Sequence, residues 1–383
     1  MEQDWRWHFW YPLPLYPYSR RRTLRSEIVK DHIWTFDQVQ GIFYVVVPIR
    51  MTVVKLEAGG LLVYAPIAPT KECLNLLREL TAIHGEVKYI ILPTASGIEH
   101  KVYVAPFARC FKQAQVYVSP SQWSYPINLP LSWLGFPSDR TQILPQDSSL
   151  APFADDFDYA ILESINLGLG AFEEVAFYHR RSQTLLVTDL VLAIPATPPA
   201  ITQLDPYPLL FHAKDDAAHD PQDTPENRIK GWQRIALFTF YFKPDALKTL
   251  SLWVVCRNSF MSPERSLKSY FGLYPFKWQD HWQTSFMGLR RDGKLLVAPI
   301  LQTLILKRSP QKVMNWVEKV SSWNFTRIIP CHFQAEIFAT PQEFKEAFAF
   351  LDDKVPNSLA AKDFQLLNKI EENLIKLKIL PTY

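Results

Sequence analysis

The sequence predicts an α/β sandwich, and three observations carry that prediction. The first half is dense in short β-branched and aromatic runs, the compositional mark of strands. A continuous apolar run over residues 87–92 stops at Pro93 and is followed by a polar loop and a helical pattern, the order in which α/β folds place chemistry at a strand's end. Two later strand-like runs deliver Thr188-Asp189 and Pro330-Cys331-His332 to their own ends. At 383 residues, 48% of them hydrophobic, the chain can bury a large core.

Taken in order, residues 33–36, 43–47, 51–56 and 61–64 read as an antiparallel meander, with Gly59-Gly60 supplying the turn between the last two. Thr70 caps a helix over 73–80, whose Leu74, Leu77 and Leu80 share one face. The 87–92 strand leads through Thr94-Ala95-Ser96-Gly97-Ile98-Glu99-His100 into a helix over 101–111 and a strand at 116–118. Strands follow at 159–165, 174–178, 184–187 and 327–329. Residues 232–282 are rich in large aromatics and read as a helical cover on one sheet face. Residues 359–380 place Leu366, Leu367, Ile370, Leu374, Leu377 and Leu380 at helical spacing, an amphipathic helix docked on its own domain. The division is an aromatic and basic arm (1–30), a core domain (31–338) with an insertion at about 202–297, and C-terminal helices (339–383).

Composition excludes several classes. Only 12 Gly stand against 30 Pro, and no GxGxxG or GxxxxGK[ST] occurs, so a phosphate-cradling loop is not expected. A net charge of +3 gives no reason to expect nucleic-acid binding. No segment reaches the ~20 apolar residues of a membrane-spanning helix, and the start lacks the order of a signal peptide. Cys73, Cys110, Cys256 and Cys331 form no CxxC and read as reduced, mostly buried thiols. The cluster of Asp215, Asp216, His219, Asp220 and Asp223 reads as a solvated loop rather than a metal site.

The succession of a hairpin-rich start, a strand leading to Thr94 and Glu99-His100, a strand ending on Thr188-Asp189 and a strand ending on Pro330-Cys331-His332 resembles the metallo-β-lactamase fold, an αββα sandwich. That family's first motif is His-x-His-x-Asp-His; here Ala95 and Gly97 fill the first two His slots, Glu99 replaces Asp, and His100 keeps the last letter. In the family's next His-bearing loop, Gly168-Leu169-Gly170 puts Leu169 in the ligand slot, while Asp189 and His332 match the bridging Asp and the final His. The strings Leu92-Pro93-Thr94, Glu99-His100-Lys101, Pro106-Phe107-Ala108-Arg109 and Val175-Ala176-Phe177-Tyr178-His179 are similar to those of the cyanobacterial and plastid domain-of-unknown-function family 4336. That resemblance implies a cytoplasmic or plastid-stromal protein of a photosynthetic cell, which could lie at the thylakoid surface.

What the resemblance implies for chemistry is one metal site at most. Glu99, His100, Asp189 and His332 match mainly the family's second site, and two His with two carboxylates suit a single zinc, iron or manganese ion. The leading expectation is nonetheless a metal-free, hydrogen-bonded cluster in which Lys101 takes the metal's electrostatic place by pairing with Asp189 or Glu99. The leading functional expectation is a non-catalytic assembly, scaffold or regulatory factor, with a mononuclear metal-dependent hydrolase as the alternative. A protein partner or membrane complex would be met through the N-terminal arm, where Trp5 and Trp7 precede Arg20-Arg21-Arg22, or through the aromatic insertion. For the arm, packing across its own domain is the competing expectation.

Overall fold

The computed structural model describes residues 3–7, 15–95, 99–124, 127–168, 170–352 and 354–381. A seven-stranded sheet is built in chain order from β1 (Leu24–Val29), β2 (Ile33–Ile42), β3 (Val45–Lys55), β4 (Leu61–Tyr64), β5 (Val87–Leu92), β6 (Gln115–Val118) and β7 (Thr141–Ile143), antiparallel as far as β4 and parallel beyond it. Of the three parallel crossovers, the first two carry α1 (Lys71–His84) and α2 (Lys101–Cys110). Thr70 accepts the Cys73 N–H as the N-cap of α1, as its position suggests. β1 falls within the stretch read from the sequence as an arm.

The second sheet has the order β16-β15-β12-β11-β8, from β8 (Phe157–Ile161), β11 (Val175–His179), β12 (Thr184–Val187), β15 (Arg327–Pro330) and β16 (Ile337–Phe338). The short pair β9 (Ile165–Asn166) and β10 (Ala171–Phe172) lies between β8 and β11 in sequence. Between β12 and β15 come α3 (Tyr207–Ala213), α4 (Pro225–Tyr241), a two-stranded ribbon of β13 (Leu247–Thr249) and β14 (Phe276–Trp278) enclosing α5 (Leu252–Ser259), then α6 (Trp282–Arg290), α7 (Pro299–Leu304) and α8 (Pro310–Ser321). The chain closes with α9 (Pro341–Glu346) and α10 (Gln365–Lys376), whose Leu367 is buried and whose Glu371 pairs with Arg308 at 2.9 Å.

Three apolar layers make this a metallo-β-lactamase-like αββα sandwich. Ile33, Val54, Leu62, Tyr64 and Ile91 of the first sheet meet Phe157, Tyr159, Phe177, Leu186 and Ile329 of the second. Cys73, Leu77 and Leu80 of α1 and Val104 and Phe107 of α2 cover the outer face of the first sheet. Trp316, Val317 and Val320 of α8 cover the outer face of the second, against Ala160, Tyr178, Leu185 and Ile328. Alternation along strands such as β4 and β11 lets one sheet feed two cores at once.

Some boundaries differ from the sequence reading for identifiable reasons. Residues 43–47 and 51–56 belong to one strand, β3, which runs through Pro48. Pro48 opposes Val39, but both turn their carbonyls away from the pair, Val39 to Arg21 and Pro48 to His332, and β4 pairs only with residues 52–55. The missing N–H therefore leaves no ladder bond broken. The β2–β3 turn is made by Phe43 and Tyr44, both at positive φ (51° and 62°), where sequence rules look for Asn or Gly. Of the cysteines, Cys73 and Cys331 are buried but Cys110 and Cys256 are exposed. Asp215 binds Lys230 and Arg234, both at 2.7 Å, so it serves as an ion-pair hub.

The described part of the N-terminal arm lies on the first sheet and its helices. Trp7 packs edge-on against Tyr103 with ring centres 5.9 Å apart, the Arg21 guanidinium sits 5.2 Å from the same ring, and Arg22 pairs with Glu72. Residues 8–14 of the arm are outside the described residues.

Candidate metal centre

The parallel strands of both sheets end at one rim of the sandwich, and that is where the expected residues meet. Glu99 and His100 close the loop after β5, with His100 at the N-cap of α2; Asp189 lies two residues past β12 and His332 two past β15. His332 Nε2 is 2.8 Å from Glu99 Oε2 and 3.0 Å from Asp189 Oδ1. One donor atom each from Glu99, His100 and His332 lies within 4.8 Å of the others. Residues brought from positions 99, 189 and 332 thus form a single cluster. Both carboxylates are about one-third exposed, while both imidazoles are buried.

The backbone fixes how the imidazoles present themselves. His100 Nδ1 lies 3.2 Å from the Pro66 carbonyl and His332 Nδ1 lies 2.8 Å from the Pro48 carbonyl. A carbonyl can only accept, so each Nδ1 carries the proton and each Nε2 faces the cluster. His100 Nε2 is buried and has no hydrogen-bond partner among the described residues. Burial pushes the His100 pKa down, and the neighbouring His332 adds to the effect, which leaves the ring neutral with a free lone pair. Burial opposes charging of His332 as well, but Glu99 and Asp189 together outweigh it and hold its pKa well above the ordinary histidine value. Burial would likewise raise the pKa of Glu99, yet His332 brings it down to about 2. Without a metal, the centre is a carboxylate–imidazolium–carboxylate arrangement beside a neutral histidine.

Three supporting residues have no signal in the sequence reading. Arg50, on β3 and 1% exposed, pairs with Asp37 at 2.7 Å and donates to the carbonyls of Pro330 (2.6 Å), Phe333 (3.1 Å) and Gln334 (3.3 Å), clamping the loop that carries His332. Asp37 faces Arg50 across the β2–β3 pair. The buried Glu174 carboxylate accepts the backbone N–H groups of Thr188 (2.7 Å), Asp189 (2.9 Å) and Leu190 (3.1 Å), so it shapes the loop that carries Asp189. Glu174 also pairs with Thr94, joining the β5 loop to the second sheet.

Lys101 does not do what its position suggested. Its ammonium donates to the carbonyls of Ala95 (3.1 Å) and Trp123 (2.6 Å), and burial lowers its pKa to about 8. The amine is committed to ordering two loops, so it does not pair with Asp189 or Glu99. Of the substituted ligand slots, Ala95 is buried and has no side-chain donor; Gly97 and Leu169 are outside the described residues.

The family profile described as Domain of unknown function (DUF4336) matches residues 30–350. No curated protein matches the sequence. Among solved structures, the chain is similar to the DIM-1 metallo-β-lactamase exposed to ceftazidime (10% identity over 85% of this chain and 96% of that one, TM-score 0.40). It is also similar to a metallo-β-lactamase from Pontibacter korlensis (15% identity, 57% and 86%, TM-score 0.34). A third is the metal-soaked Flv1 flavodiiron core from Synechocystis (9% identity, 87% and 62%, TM-score 0.43).

Proposed function

The chain belongs to the DUF4336 family, and we propose that it is a single-metal protein of the hydrolase type, with Glu99, His100 and His332 as ligands and Asp189 as a further donor. The observation that carries this reading is the buried, unpartnered Nε2 of His100, turned to the cluster while its Nδ1–H is held by Pro66. Leaving such an atom unsatisfied costs about 1–3 kcal/mol, and a cation removes that cost while neutralising two carboxylates. Two imidazoles with one or two carboxylates suit zinc, iron or manganese. Such an ion, when bound, supplies Lewis-acid polarisation of a carbonyl or phosphoryl oxygen.

The chain's own residues would do the rest. The Pro48 and Pro66 carbonyls keep both rings in the ligating tautomer, and Arg50 and Glu174 hold the loops that bring His332 and Asp189 into range. Asp189, about one-third exposed and 3.0 Å from His332, lies on the solvent side of the cluster as its further donor. A second ion has no support: Ala95 offers no side-chain donor, and the Lys101 ammonium lies against its carbonyl.

A second reading, a non-catalytic scaffold or assembly factor, is favoured by the 2.8 and 3.0 Å spacings around His332, which a proton alone satisfies. Metal analysis separates the two. Protein purified without chelators should carry close to one zinc, iron or manganese per chain, and His100→Ala/His332→Ala should carry none. A metal-free parent that refuses added zinc would leave the proton-bridged scaffold as the account of this centre.

A further inference from the structure

The β13–β14 ribbon carries a lobe, residues 250–275, closed at its base by the Leu250 N–H to Pro275 carbonyl bond (2.9 Å). Its helix, α5, is inside out. Val255 is its one buried residue, whereas Leu252 (84% exposed), Trp253 (77%) and the C-cap Phe260 (75%) stand in solvent with Arg257 among them. The spacing 252, 253, 257, 260 is one helical face. Met261, Leu267 and Phe271 extend the exposed apolar surface. They adjoin it because Gly272 packs against residues 259 and 262, so closely that a Cβ there would lie 2.7 Å from Ser262 Cβ and 2.9 Å from the Ser259 carbonyl.

Single exposed apolar residues are ordinary, but a cluster of this extent marks a contact surface. Its charge indicates which kind. Residues 250–275 hold Arg257, Arg265 and Lys268 against one acid, Glu264, a net +2. Glu264 is itself engaged by Ser266 (2.6 Å) and Tyr207 (3.2 Å). Cations sit among these apolar side chains, Arg257 on the exposed face of α5 itself. Aromatic and aliphatic residues that can enter the acyl boundary, interleaved with Lys and Arg stems long enough to reach phosphates, match an anionic lipid surface.

We propose that this lobe docks on an anionic bilayer, with Trp253 and Phe260 inserted and Arg257 and Arg265 at the headgroups. Leu267, Lys268 and Tyr270 of the same lobe wall a cleft of about 880 Å³, so docking would bring that cleft to the headgroup layer. This inference is independent of whether the centre at His332 holds a metal.

The test is co-sedimentation of the full chain with vesicles of phosphatidylcholine alone and of phosphatidylcholine mixed with phosphatidylglycerol. The parent should bind the anionic vesicles, and bind them less as salt rises. Arg257→Gln/Arg265→Gln should weaken that binding about thirtyfold, from roughly fivefold per cation, and Trp253→Ala/Phe260→Ala by tenfold or more. All four side chains are exposed, so both variants should melt as the parent does. Equal binding to neutral vesicles, failure of the parent to bind anionic vesicles, or unchanged binding by either variant would overturn the proposal. Self-association of the parent without lipid, abolished by Trp253→Ala/Phe260→Ala, would overturn it in favour of a second copy of the chain.

Discussion

Replacing Arg50 with methionine tests how the His332 loop is held, because methionine keeps much of the side-chain volume and deletes the guanidinium. Two costs follow. Asp37 is buried, and burial already pushes its carboxyl pKa up against the pull of Arg50. Without that cation it must stay charged and unpaired or take up a proton at pH 7, which for a carboxyl of ordinary pKa near 3.8 costs about 4 kcal/mol. This agrees with roughly 3–5 kcal/mol for breaking a buried pair from one side. The carbonyls of Pro330 and Phe333 lose their closest donors, at about 1 kcal/mol each. Arg50→Met should therefore lose about 5–6 kcal/mol in urea unfolding, and Asp37→Asn/Arg50→Met should recover most of the Asp37 share. If the double variant refolds, the loosened loop should weaken zinc binding by about 10- to 100-fold. A loss under about 1 kcal/mol in the single variant, or a double variant no more stable than the single, would refute the clamp.

Two further predictions concern buried polar groups. Glu174→Gln puts an amide nitrogen where backbone N–H groups of residues 188–190 need an acceptor, so it should cost about 1–3 kcal/mol in urea unfolding; no measurable loss would remove Glu174 as the organiser of that loop. His212 is fully buried, and burial lowers its pKa to about 4. Between pH 6.5 and 4 the unfolded chain binds a proton that the folded chain does not, so this histidine makes stability fall as pH falls, by about 2 kcal/mol from pH 7 to pH 5. His212→Gln should flatten the stability–pH curve by that amount, and an unchanged curve would show that the ring takes up its proton as readily in the fold as in the unfolded chain.

The sequence made the residues of the cluster legible and hid what holds them, and the difference is physical. Glu99, His100, Asp189 and His332 follow short apolar strands whose ends are marked by Pro93, Thr188 and Pro330, local punctuation that any window of a few residues contains. The helix cap at Thr70 and the Gly59-Gly60 turn were readable for the same reason. Lys101 was misread because adjacency in sequence to a charged pair says nothing about where a long side chain finds carbonyls. The loop carbonyls that Arg50 holds lie 280 or more residues away, so no periodicity encodes them.

β3 shows how function and pattern compete. It carries Pro48 and Arg50 in mid-strand, and a reading by propensity splits the strand there. Those are the two residues of the strand that hold His332: Pro48 through the carbonyl that fixes the ring's tautomer, Arg50 through the backbone of the loop. A proline that gives up a ladder N–H and a buried arginine are both residue types that a propensity rule scores against a strand. The interruption is therefore the trace that the site leaves in the first sheet. A proline and an arginine inside an otherwise apolar strand, opposite a carboxylate such as Asp37 on the neighbouring strand, are better read as one continuous strand bearing a loop clamp than as two short strands and a turn.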